Sequence, residues 1–379
     1  MKKIKVVTVV GTRPEIIRLS SIINRLNNSL FIEHTLIHTG QNYDKNLNDI
    51  FFNDLSIKEP DFYLDAAKEN PSLTIGEILI RIDPILNRIL PDAFLILGDT
   101  NSCLSAIVAK KKKIPIFHYE AGNRCFDFRV PEESNRILVD HLSDINLTYS
   151  ENASRNLSNE GIPAHRIIKV GSPMYEVLKS SSQKIKKSKI LNDLNLKRGK
   201  YIVISCHREE NVDNKENFKK LIRSLNKICE LYKMPLIFPI HPRTKKILSD
   251  NNSKLNNLIK LIDPLGFIDY NKLQMNSFVV LSDSGTISEE SSILNFRAVN
   301  IRETHERHEA MEESSVIMTG LDIERIVQAI ESLKSQEIGN ERNILEVQDY
   351  KVPNISIKIE RIIISYINYV NRVIWQKES

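Results

Sequence analysis

The chain has 379 residues, 41% of them hydrophobic and 27% charged, with 12 Gly and 14 Pro. This ordinary globular composition excludes a disordered, collagen-like or disulfide-scaffold protein, and the length suits two domains of roughly 150 to 200 residues. The formal charge of +5 is mild for such a length; it fits an anionic small ligand and is too weak to point to nucleic acid.

The first predicted element is the β-branched run Ile4-Lys5-Val6-Val7-Thr8-Val9-Val10, which reads as a buried parallel strand. Gly11-Thr12-Arg13-Pro14 follows, and Ile16, Ile17, Leu19, Ile22, Ile23 and Leu26 then keep helical spacing. Strand, tight turn and helix open a doubly wound α/β domain. The rhythm recurs at Thr35–His38 before Thr39-Gly40, at Ala93–Leu97 before Gly98-Asp99-Thr100, and at Ile114–Tyr119 before Glu120-Ala121-Gly122. Each apolar run thus places polar residues at the carboxyl end of a strand, the edge where open α/β sheets bind ligands. Lys110 to Lys113 is expected to be a solvated helix end.

From about residue 176 to 200 the chain turns polar and basic, as a connection between domains does. A second strand-helix series runs through Tyr201–Ser205, Pro235–Ile240 and Phe278–Ser282. The segment Ile355 to Trp375 has the spacing of a helix. The expected division is 1–175 and 176–354, with a cleft between two Rossmann-like domains. The apolar run at the start is too short for a signal peptide, and no stretch reaches about 18 apolar residues, so a soluble cytoplasmic protein without membrane association is expected. Cys103, Cys125, Cys206 and Cys229 form no C-x-x-C pair, which speaks for a reduced protein without a zinc or redox motif.

Two turns could hold a phosphate. Arg13 in GTRPE (11–15) stands at a helix start, where N–H groups, the helix dipole and a guanidinium meet; a plain strand-to-helix turn with a solvated arginine reads equally well. In SDSGTISEE (282–290), Ser284 and Gly285 can offer N–H groups to a diphosphate and Glu290 can accept from ribose hydroxyls; the alternative is a Ser-capped helix with early acids. One such turn per domain points to a nucleoside diphosphate. Neither turn is a dinucleotide fingerprint or a P-loop, so NAD and P-loop readings lose their main support.

Among ionisable groups, Asp99 and Glu120 each close a strand, and Glu132 starts a helix in Pro131-Glu132-Glu133-Ser134-Asn135-Arg136. Singly these are loop caps, or a Glu132–Arg136 surface pair; three carboxyls on one sheet edge point to proton transfer, with crowding expected to raise at least one pKa. His207 in HREEN (207–211) is placed to neutralise a leaving phosphate, or is a histidine satisfied at a strand end. His241 and Arg243 in HPR (241–243) follow another strand. No helical His pair favours a metal, and none is expected.

GTRPE, TGQNYD (39–44), GDTNS (98–102), EAG (120–122), PEESNR (131–136), HREEN, HPR, SDSGTISEE and THER (304–307), in this order, closely resemble the non-hydrolysing UDP-N-acetylglucosamine 2-epimerase family. The resemblance implies a GT-B fold, a homodimer, a C-terminal helix (355–379) returning to the first domain, and no cofactor. The implied reaction eliminates UDP from a UDP-activated 2-acetamido sugar and adds it back across a 2-acetamidoglycal. Carried over by position, Asp99, Glu120 and Glu132 handle protons, His207 assists the diphosphate, and Arg13, Ser284, Gly285 and Glu290 hold UDP. Arg18, Arg136, His241, Arg243 and Arg307 are further expected contacts. Segment 120–141, EAGNRCFDFRVPEESNRILVDH, is more similar to the branch that makes UDP-N-acetyl-L-fucosamine from UDP-2-acetamido-2,6-dideoxy-L-talose for capsule or O-antigen. Where the family reads E-R-P-E, this chain has Glu306-Arg307-His308-Glu309. Of the activating UDP-sugar site of the mannosamine-producing branch only Gln41 and His241 find a counterpart, and no activator dependence is assumed.

Competing readings are the same epimerisation of UDP-N-acetylglucosamine, a GT-B glycosyltransferase, and a non-catalytic UDP-sugar sensor. The three acids on one edge argue against the last two.

Overall fold

The computed structural model describes residues 2–41, 45–240, 242–250, 254–304 and 307–377. The chain forms two compact units, Met1–Ser180 with Asp349–Ser379, and Ser181–Gln348.

The first unit carries seven parallel strands: β1 (Ile4–Val10), β2 (Ile32–His38), β3 (Phe62–Tyr63), β4 (Ala93–Leu97), β5 (Ile116–Ala121), β6 (Ile145–Thr148) and β7 (Ile167–Lys169). Their order is β3-β2-β1-β4-β5-β6-β7. The chain builds outward from β1 one way and then, from β4, the other, so the topological switch lies between β1 and β4. The crevice outside such a switch is the ligand site that open α/β sheets share, and here it is flanked by Gly11 and by Gly98-Asp99. The second unit repeats the device with β8 (Ile202–Ser205), β9 (Leu236–Pro239), β10 (Ile259–Ile262), β11 (Val279–Ser282), β12 (Ala298–Asn300) and β13 (Ile317–Met318). Its order is β10-β9-β8-β11-β12-β13, all parallel, with the switch between β8 and β11. Ser205 pairs with Ser282 in register, so Cys206-His207 and Asp283-Ser284 leave the sheet side by side.

Helix Arg13–Asn27 starts with a capping box in which Thr12 and Glu15 satisfy each other's backbone N–H, and Pro14 sits in its first turn. Its Ile16, Leu19, Ile22, Ile23 and Leu26 are fully buried. Helix Ile355–Val373 packs on it, burying Ile355, Ile359, Ile363 and Ile367 at four-residue spacing, and Arg25 Nε bonds Glu360 Oε2 at 2.6 Å.

Two expectations change. Much of the polar stretch after residue 176 is helix, Met174–Lys187, because Met174, Val177, Leu178 and Ile185 supply a buried stripe among the lysines. The cations at 110–113 are not simply solvated: Lys110 Nζ lies 2.5 Å from Asp144 Oδ1 and 4.9 Å over the Trp375 ring, and Lys112 pairs with Asp83 at 2.7 Å. Among the described residues no helix is long and apolar enough to cross a membrane.

Candidate active site

At the switch of the first unit three turns close on Gly11. A Cβ there would lie 2.1 Å from both Thr39 Oγ1 and Ser102 Oγ, so only glycine fits. Those hydroxyls bond each other at 2.8 Å, and Ser102 donates to Gln41 Oε1 at 3.3 Å. Beneath them Glu15 accepts from Gly11 N (2.6 Å), Thr12 N (2.8 Å) and Thr100 Oγ1 (2.6 Å). Burial pushes its carboxyl up to about 7, against the lowering pull of the Thr100, Gly11 and Thr12 bonds. The rise comes from burial, not from the crowding of carboxyls expected from the sequence. Arg13 begins the helix above, its guanidinium carbon 5.9 Å over the Phe51 ring.

Next along the edge come the predicted proton-handling acids. Gly98 N bonds Tyr119 O at 2.9 Å, which sets the ends of β4 and β5 together, and a Cβ on Gly98 would be 3.7 Å from Glu120 Oε2. Glu120 has a left-handed φ of +69°, at the point where the β5–β6 register shifts between Tyr119 and Ala121. A bulge of this kind re-aims a side chain, and a non-glycine residue in that region stores strain of order 1–3 kcal/mol. The carboxylate so placed pairs with Arg18 and accepts from Tyr149 Oη and Asn123 Nδ2, each at 3.3 Å. Asp99 Oδ2 receives both Nε and Nη2 of Arg136 at 2.7 Å. Buried Arg136 joins Asp99 to Glu133, three residues before it. Glu132 is half-buried in the first turn of helix Pro131–Leu142.

In the second unit the organising group is Asp283, with a fully buried side chain. It accepts from His207 N (3.1 Å), Arg208 N (3.0 Å), Asn211 Nδ2 (3.2 Å) and Cys206 Sγ (3.1 Å), and His207 Nδ1 lies 3.3 Å away. Burial pushes its pKa up, but His207, the Cys206 thiol, Arg208 N–H and Asn211 outweigh it and hold the carboxyl below its usual range. The 207–211 turn is therefore pinned by its backbone, with the His207 side chain 47% exposed.

Ser284 N is drawn back to Ser282 Oγ at 3.0 Å, and Ser284 Oγ meets Thr286 Oγ1 at 3.0 Å. Gly285 precedes helix Ile287–Leu294, in whose first turn Glu290 takes Gln274 Nε2 at 3.1 Å. Burial and Glu290 push the neighbouring Tyr270 phenol up to about 12, against the pull of Ser205 and Gln274. Arg307 is buried with Glu289 at 3.4 Å and Glu309 at 4.0 Å. His308 has a φ of −61°, which a proline also adopts. His241 and the side chain of Arg243 lie outside the described residues, as do Asn42 to Asp44.

The structure thus brings Asp99, Glu120, Arg18 and Arg136 to one edge, and His207, Ser284, Gly285 and Glu290 to the other sheet's edge. The sequence reading passed over Glu15, Glu133 and Asp283. Only Glu15 left a signal, the Thr12-x-x-Glu15 spacing of a capping box.

A sequence profile of the UDP-N-acetylglucosamine 2-epimerase family matches residues 24–364. UDP-N-acetylglucosamine 2-epimerase of Methanococcus maripaludis is 38% identical over 346 residues, covering 89% of this chain and 93% of its own. The solved UDP-N-acetylglucosamine 2-epimerase of Rickettsia bellii superposes with a TM-score of 0.93 at 48% identity, over 99% of this chain and 100% of that one. The Methanocaldococcus jannaschii enzyme, solved with UDP-N-acetylglucosamine and UDP, superposes with a TM-score of 0.89 at 35% identity, over 96% of this chain and 100% of that one.

Proposed function

From the premise that this chain belongs to the UDP-N-acetylglucosamine 2-epimerase family, and is an isomerase of GT-B type, we propose that it inverts C2 of a UDP-activated 2-acetamido sugar without a nicotinamide cofactor. The C2 hydrogen of such a sugar is not next to a carbonyl carbon, so simple deprotonation is unfavourable. Elimination avoids the difficulty. A base takes the C2 proton, the C1–O bond breaks, its electrons leave with UDP, and C1=C2 forms. An acid then delivers a proton to the other face of C2 while the diphosphate oxygen re-attacks C1.

Asp99, Glu120 and Glu132 are the proposed proton carriers. What carries the reading is the seating of Asp99 and Glu120 at adjoining strand ends beside the switch, each held by its own arginine. Positioned acids and bases contribute roughly 10²- to 10⁴-fold each. His207, Arg13, Ser284, Gly285 and Glu290 are proposed to bind the UDP moiety and stabilise its departure, with Arg18, Arg136, His241, Arg243 and Arg307 as further contacts. Buried Asp283 supports the role of His207 by accepting from its backbone N–H at 3.1 Å and lying 3.3 Å from Nδ1 of the ring, which fixes where the imidazole stands.

The relatives' names favour UDP-N-acetylglucosamine as substrate. Segment 120–141 favours UDP-2-acetamido-2,6-dideoxy-L-talose, with UDP-N-acetyl-L-fucosamine as the product for a surface polysaccharide. We extend the proposal to a cytoplasmic homodimer. Incubation with each sugar in deuterated water tests the reaction: deuterium at C2 of the epimer, with traces of free UDP and glycal, is expected. Sugar transfer to an acceptor with C2 still protiated would overturn it.

A further inference from the structure

We infer that Glu133, not assigned a role above, is a positioning residue for Asp99, acting through Arg136 and tying that ion pair to the loop between Glu120 and Glu132; this rests on the epimerase reading. Arg136 has a planar guanidinium, and three of its N–H groups are taken by two carboxylates. Nε and Nη2 go to Asp99 Oδ2 and Nη1 goes to Glu133 Oε2, all at 2.7 Å. A planar fork held at three corners cannot turn without breaking a bond, so Glu133 sets the plane in which Asp99 is gripped.

Glu133 is itself held from the other side. Its Oε1 accepts from Phe126 N at 2.9 Å, and its Oε2 from Cys125 N and Cys125 Sγ, each at 3.2 Å. Burial pushes its pKa up, but the Cys125 N–H, Arg136, the Cys125 thiol and the Phe126 N–H together hold it below its usual value, so the carboxylate stays charged. The residue before this grip is fixed separately: buried Arg124 pairs with Asp140 at 2.8 Å and Glu160 at 2.7 Å. Past these anchors the loop turns through a left-handed Phe126 (φ +55°) and leaves Phe126 and Phe128 more than two-thirds exposed. Any movement of the Cys125-Phe126 backbone therefore reaches Asp99 through two consecutive charged contacts.

Only a carboxylate serves here, because donors converge on both oxygens. An amide has one oxygen, and Glu133→Gln must turn its NH₂ toward either Phe126 N–H or the Cys125 and Arg136 donors. With Asp99 released from its orientation, proton transfer slows while UDP is still bound. Glu133→Gln is expected to lower kcat by about 10- to 100-fold, as sub-ångström misplacement of a reacting group does, with KM changed by no more than about threefold. The primary isotope effect with substrate deuterated at C2 is expected to rise, and Glu133→Asp to recover much of the rate. Normal kcat, a lower kcat with the isotope effect unmoved, or equal loss in both variants would overturn the inference. If the wild type exchanges no deuterium into either UDP-sugar, the epimerase reading is lost separately. The crystal structure of Glu133→Gln then decides: Arg136 displaced from Asp99 upholds the coupling, and Arg136 still gripping Asp99 by both nitrogens refutes it.

Discussion

Each unit closes its central crevice with one buried carboxylate under a strand-end turn, Glu15 in the first and Asp283 in the second, yet the surroundings drive the two in opposite directions. Glu15 meets only neutral donors, so desolvation prevails and its carboxyl rises to about 7. Asp283 has the imidazole of His207 3.3 Å away and two backbone N–H groups besides, and its carboxyl falls. A buried carboxyl on one side of the switch in the first unit, after β1, is raised, and one on the other side of the switch in the second unit, after β11, is lowered. Counter-charge decides which. On the edge that Glu15 props, Asp99 and Glu120 differ from it in each having a guanidinium partner.

The largest expected effect tests that division of labour. Asp99→Asn and Glu120→Gln should each lower kcat by about 10²- to 10⁴-fold while calorimetry finds UDP affinity nearly kept. Loss of affinity without loss of turnover would reverse the roles of the two edges.

The pH dependence of stability comes next. A folded pKa near 7 against an ordinary 4.5 means Glu15 favours the folded state fully below about pH 4.5, and that contribution is lost as pH rises to about 7. The size is on the order of 2–4 kcal/mol, and Glu15→Gln should flatten that slope in unfolding titrations. Asp283 acts the other way: its contribution is whole above its ordinary value of 3.8 and declines as pH falls below it. Hydrogen exchange resolved by unit should therefore show acid loosening 207–211 in the wild type but not in Asp283→Asn. Slopes of the same sign at both carboxylates would dissolve the contrast.

Smaller still is Gly11→Ala, whose Cβ would meet two hydroxyl oxygens at 2.1 Å; urea titration should read a loss of about 1–3 kcal/mol from overpacking. The smallest is Ser284→Ala, which removes a single neutral hydroxyl bonded to Thr286 and should weaken UDP binding by no more than about tenfold.

The strands beside the two switches were readable because buried parallel strands are unbroken apolar runs, and Val6, Val7, Phe94, Leu95, Val203 and Ile204 are all fully buried, whereas β3, β6, β7, β10, β12 and β13 went unread. Strand-end positions made Asp99, Glu120 and His207 candidates. Their partners were not legible. Arg136 takes Glu133 and Asp99 because helix Pro131–Leu142 turns Glu133 inward, toward donors from a loop whose path no spacing rule gives. Asp283 sits in a motif noted for its serine and glycine, and its ligands lie 72 to 77 positions away. The left-handed φ of Glu120 likewise had no sequence mark, since neither Asn nor Gly stands there.

Helix Ile355–Val373, which covers helix Arg13–Asn27, has a consequence for biosynthesis. The ribosome delivers all of Ser181–Gln348 before it releases this last piece of the first unit. The nascent helix Arg13–Asn27 therefore waits without this cover while more than 300 residues are translated, a period in which exposed apolar surface invites aggregation. A premature stop anywhere in the second unit would accordingly damage the first as well.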